Sequence, residues 1–136
     1  MPQQSIFAPM GALALLTFVV MAAMYRTRVR AVKSGQVQVS DFSCGESGAV
    51  PGHVSIPNRN YMNLLELPTL FYAVCLMFAV ADRVTPAALA TAWAYVVLRA
   101  IHSVIHLSTN NVMHRLTAFA LSNVVLAALW IEFFVL

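Results

Sequence analysis

Residues 6–25 read IFAPMGALALLTFVVMAAMY, a run of 20 residues without a single charge. A helix of that length rises about 30 Å, the thickness of a bilayer's hydrocarbon core. The run is therefore long enough to cross a membrane, and it decides the fold class. Arg26, Arg28, Arg30 and Lys33 follow it directly and account for four of the eight basic residues. A secretory leader carries its positive charge ahead of the apolar stretch, whereas nothing before Arg26 is charged. The expectation is a retained first helix over about 6–30, with its basic end cytoplasmic and its N-terminus outside.

The rest of the composition agrees. Of 136 residues, 60% are hydrophobic and 10% charged, against about a quarter charged in soluble domains. The net charge of +3 is carried by the cluster beside the first helix, so it marks topology and headgroup contact rather than a nucleic-acid partner. Cys44 and Cys75 share no motif spacing, which argues against a disulfide framework or a CxxC redox site. Cys75, inside an apolar run, is expected to be a packing residue.

Working outward, residues 34–57 hold four of the five glycines and two prolines and are expected to form one long cytoplasmic loop. Asn58 is a plausible N-cap for a second helix over 58–81. Pro68 lies within it and should bend it, because the Leu64 carbonyl loses its usual donor. A short outer connection at 82–85 leads to a third helix over 86–107. A polar turn at 108–113 leads to a fourth over 114–135. The expected architecture is an all-α membrane protein: a single domain over 1–136, a four-transmembrane-helix bundle with both termini outside.

The charges inside these helices carry the functional signal. Arg59, Asn63 and Glu66 recur at i, i+4, i+7, and Arg99, His102, His106 and Asn110 at i, i+3, i+7, i+11, so each set shares a helix face. At about 1.5 Å per residue, Glu66 and Arg99 both lie roughly 12 Å inside the cytoplasmic ends of their helices. A charge at bilayer depth costs about 2.5–3.5 kcal/mol on insertion scales, so such residues face the bundle interior, pair, and mark function. One expectation is a structural Arg99–Glu66 ion pair locking two helices. The other is a pocket for an anion, because Arg59, Asn63, His102, His106 and Arg115 converge on the same side. His102 and His106 also have the i, i+4 spacing of two metal or haem ligands, with no evident third ligand unless Glu66 or His114 supplies it; no metal is expected.

Arg59-x-x-x-Asn63-x-x-Glu66-x-Pro68 followed by Arg99-x-x-His102 resembles the membrane-associated proteins in eicosanoid and glutathione metabolism, the MAPEG family. The resemblance spans nearly the whole chain, and the long first loop is similar to that of bacterial members. It implies a homotrimer in the bacterial inner membrane that takes glutathione as co-substrate at a site open to the cytoplasm. The implied activity is a glutathione-dependent transferase or peroxidase acting on lipophilic small molecules. Arg59, Asn63, Glu66, Arg99, His102 and His106 would bind the tripeptide, and Arg115 would be catalytic, stabilising the thiolate. His106 and Phe119 stand where enzymes of the family often carry tyrosines. The alternative these positions leave open is a non-catalytic scaffold or accessory subunit of a larger membrane complex.

Overall fold

The computed structural model describes residues 2–135, so residues 1 and 136 of the expected domain lie outside the described residues. Most of the chain is helical: α1 (Phe7–Lys33), α2 (Gly52–Leu65), α3 (Pro68–Val80), α4 (Pro86–Leu107) and α5 (Val112–Val135), with 3-10 turns at Gln3–Ile6 ahead of α1 and at Val39–Phe42 after it. With α2 and α3 counted as one interrupted span, four helices are long and apolar enough to cross a bilayer. Their outward surfaces are apolar, as at Phe18, Val19, Val104, Val124 and Phe134, the reverse of a soluble bundle. Thr17, inside the first span, returns its hydroxyl to the Leu13 carbonyl four residues back, which satisfies a polar group where lipid offers no partner.

The interior joins all four spans. Leu13, Val20, Leu64, Phe71, Cys75, Phe78, Tyr95 and Leu129 are buried in one cluster, and Phe71 stacks on Tyr95 with ring centroids 4.7 Å apart. Both cysteines are free, Cys75 within this core and Cys44 exposed.

One end of the bundle gathers the N-terminal turn, the 82–85 connection and the end of α5. The Gln3 side chain accepts from Val84 N–H at 2.8 Å, and Arg83 donates to the Phe133 carbonyl at 3.1 Å. Thr85 caps α4 by accepting from Ala88 N–H and donates its own proton to Glu132. Glu132 is thus half-buried and bonded.

The opposite, basic end differs most from expectation. The second span starts at Gly52 rather than Asn58, and the long loop closes at residue 51 instead of 57. Pro51 sits extended ahead of the helix, and its carbonyl accepts from both Val54 and Ser55 N–H. Pro57 is tolerated so near the start because its missing N–H deprives only the carbonyl of His53, an exposed residue. Ala31, Val37 and Val54 form a small buried cluster that fixes this first turn against α1, a contact between residues far apart in sequence. The intervening segment is organised as well. Arg28 pairs with Glu46 at 3.0 Å, the one ion pair among the described residues, and its guanidinium lies 4.8 Å from the centre of the Phe42 ring.

Candidate functional site

The site begins with the interruption in the second span. Pro68 has no N–H for the Leu64 carbonyl, and the backbone breaks at Glu66, where ψ is −101°. The Thr69 and Leu70 amides close on Glu66 and Leu67 in tighter turns. The Asn63 carbonyl, which in an unbroken helix would accept from Leu67, instead accepts from Arg99 Nη2 at 2.7 Å. Arg99 is fully buried, and its guanidinium carbon lies 5.7 Å from the centre of the Phe119 ring on α5. The expected Arg99–Glu66 ion pair is not formed. The break turns the Glu66 side chain outward, where it is exposed, and the arginine is held by a backbone carbonyl instead.

Beside Arg99, the face of α4 that carries His102, Ser103 and His106 is buried. His102 Nδ1 lies 3.1 Å from the Arg115 carbonyl. Ser103 donates to Asn60 Oδ1 at 3.2 Å. The His102 and His106 rings meet edge to face at 5.7 Å, and Phe119 lies 5.8 Å from His102 on the other side. Asn110 does not continue the stripe on α4. The helix ends at Leu107, and Asn110 adopts left-handed backbone at φ 48° with its N–H on the Ile105 carbonyl. From there its side chain accepts from Arg115 Nη1 at 2.6 Å. Asn111 then starts α5 by accepting from Met113 and His114 N–H, so the helix begins at Val112 and Arg115 sits in its first turn.

These elements enclose a cavity of about 450 Å³ between α2, α4 and α5, lined by Arg59, Asn63, His102, His106 and Arg115 together with Asn58, Met62, Val112, Leu116 and Phe119. Five of the seven residues singled out in the sequence line it. Arg99 lies behind the Asn63 and Phe119 walls, and Glu66 does not reach it. Two arginines and no carboxylate line the space. Around it, Asn60 Nδ2, Arg99 Nε and Nη1, His102 Nε2 and both His106 ring nitrogens are buried without a protein partner. Each such atom costs about 1–3 kcal/mol if left unmet, and the three on His102 and His106, whose side chains line the cavity, fit a polar ligand. No cluster of three His, Cys, Asp or Glu side chains able to hold a metal occurs among the described residues.

Asn60 and Ser103 were not singled out from the sequence. Ser103 lay in plain view four residues after Arg99 on the same face. Asn60 was hidden because the Arg59, Asn63, Glu66 spacing directed attention to the neighbouring face.

A chain of four bilayer-length apolar helices with a cation-lined cavity near one end is an integral membrane protein of helix-bundle type. More narrowly, it belongs to the MAPEG family, whose match covers residues 6–135, a family that includes glutathione transferases and peroxidases. No curated protein and no solved structure matches the chain.

Proposed function

We propose that this protein binds glutathione and catalyses its transfer to lipophilic electrophiles, or a related peroxidase reaction, in the membrane. The observation that carries the proposal is the convergence of Arg59, Asn63, His102, His106 and Arg115 on one cavity without a carboxylate. Glutathione brings two carboxylates and a thiol that reacts as its anion, and each is suited to that lining. Arg59 and Asn63 bind the peptide, Arg99 supports the Asn63 and Phe119 walls, and Arg115, steadied by Asn110, holds the thiolate. Glu66, exposed on the subunit's surface, reaches a ligand bound between subunits of a homotrimer.

The lipophilic partner has a separate approach. An apolar groove of about 540 Å³ runs between α3 and α5, lined by Leu67, Leu70, Leu126, Ala127, Trp130 and Ile131 beside Asn123. By the positive-inside rule, the basic cluster at the end of α1 faces the cytoplasm, both termini lie outside and the cavity opens inward, in a bacterial inner membrane. Calorimetric titration of detergent-purified protein with glutathione is the test. Saturable binding at one site per subunit is expected, and no binding at millimolar ligand refutes the proposal. A non-catalytic accessory role is favoured by Phe119 standing where a hydroxyl would assist a thiolate; glutathione binding without turnover, together with co-purification of a larger complex, would establish it.

A further inference from the structure

We infer that His102 Nε2 is the proton acceptor for the thiol bound in this cavity, an assignment that rests on the glutathione reading above. The other ring nitrogen fixes the tautomer. His102 Nδ1 lies 3.1 Å from the Arg115 carbonyl, and a carbonyl oxygen only accepts, so Nδ1 carries the hydrogen. In the neutral ring Nε2 must then be the lone pair. Nε2 is buried without a protein partner, on a side chain that lines the cavity. A base whose second nitrogen is fixed by an acceptor has the arrangement found wherever histidine activates a nucleophile.

The geometry ties base and anion site together. The carbonyl that orients His102 belongs to Arg115, the residue whose guanidinium enters the same cavity. One backbone position thus sets both the proton acceptor and the cation that receives the resulting thiolate. His106 is not equivalent, because neither of its ring nitrogens has a partner and nothing fixes its tautomer. The charged and titratable groups around His102 are Arg99 and His106 on α4, Arg115 on α5 and Arg59 on α2, with no carboxylate lining the space.

In the step itself the glutathione S–H bond breaks and the proton forms the Nε2–H bond, leaving a thiolate beside Arg115 and an imidazolium hydrogen-bonded to the Arg115 carbonyl. The thiolate then forms a bond to an electrophilic carbon. The displaced group leaves with its electron pair and takes the proton from Nε2, which restores the neutral ring. No electron is gained or lost overall.

Proton counting separates this role from a merely structural one. The unmodified protein is titrated with glutathione near neutral pH while thiolate absorbance is followed. Proton exchange with solvent is obtained by calorimetry in buffers of different ionisation enthalpy. The expected result is thiolate formation with no net proton release; one proton released per thiolate overturns the assignment without any mutation. His102→Asn keeps a donor for the Arg115 carbonyl but has no ring base. It should still bind glutathione, release one proton per thiolate and lose about 100-fold in transfer rate, the lower end of general-base effects, with partial rescue by added imidazole. Unchanged rate and proton count in that variant refute the assignment and leave glutathione binding standing. Failure of the unmodified protein to bind glutathione overturns both.

Discussion

Replacing Arg115 by alanine should cost this protein most of its thiolate while leaving its fold intact. The side chain is positioned by Asn110 Oδ1, 2.6 Å from Nη1, and Asn110 is itself fixed by its N–H on the Ile105 carbonyl. Because that partner is neutral and no carboxylate lines the cavity, the guanidinium charge is available to a bound anion. An opposite charge within about 4–6 Å lowers an acid's pKa by about 1–3 units. With a shift of about 2 units, a thiol of pKa about 8.5 moves to about 6.5. At neutral pH the thiolate fraction then rises from about 3% to about three-quarters, a change of about 25-fold. Arg115→Ala should reverse that change, and Arg115→Lys should fall between, since a lysine keeps the charge but not the planar fork that Asn110 orients. The assay is ultraviolet absorbance of bound glutathione against pH, with helical circular dichroism as the control for folding. A variant whose bound thiol titrates with the wild type, to within a few tenths of a unit, would refute the assignment of Arg115.

Two further outcomes follow from hydrogen bonds. Asn60 and Ser103 are buried against each other at 3.2 Å; alanine at either position should destabilise the bundle. The coupling from a double-mutant cycle should fall near the membrane average of about 0.6 kcal/mol and not above about 1.7. A coupling of zero in detergent unfolding would show that the contact contributes nothing. In the 34–51 loop, the Asp41 carboxylate accepts from Gln38 N–H at 2.8 Å and Ser47 Oγ at 2.9 Å, and these bonds, the backbone one first, hold its pKa below 3.8. Because the native group binds its proton more weakly than the disordered one, the loop's order is fully present above about pH 4 and is lost as pH falls through the native value. Amide-exchange protection at Gln38 should follow that course in the wild type, and Asp41→Asn should remove the dependence; the same acid response in the variant would exclude Asp41 as its source.

What the sequence made legible was governed by period and length. Four long apolar stretches announced four spans, and helical spacing brought Arg59 and Asn63 together with His102 and His106 across two helices. It failed where backbone departs from the ideal helix. Glu66 obeys the spacing but sits at the break, so the face it was assigned to ends before it. Asn110 likewise lies beyond the end of α4 and reaches Arg115 from a left-handed turn. The start of α2 was missed because Pro57 reads locally as a boundary, while the contacts that hold the preceding turn come from Ala31 and Val37. Local signals cannot report such partners.

The break in the second span also changes the meaning of the deepest charge. In hydrocarbon every backbone carbonyl must find a donor, and Pro68 interrupts the ladder that would supply one. An apolar side chain at position 99 would leave the Asn63 carbonyl without this donor. The buried arginine answers that need with a charge-assisted bond of 2.7 Å, of a kind that contributes about 1.5–3 kcal/mol. Its guanidinium also lies against Phe119, a wall of the cavity. Proline, carbonyl and arginine therefore form one device that gives the second span an irregular turn at bilayer depth and sets the back of the pocket. On this account Arg99 acts through Asn63 and Phe119, and the cations that meet a ligand directly are Arg59 and Arg115.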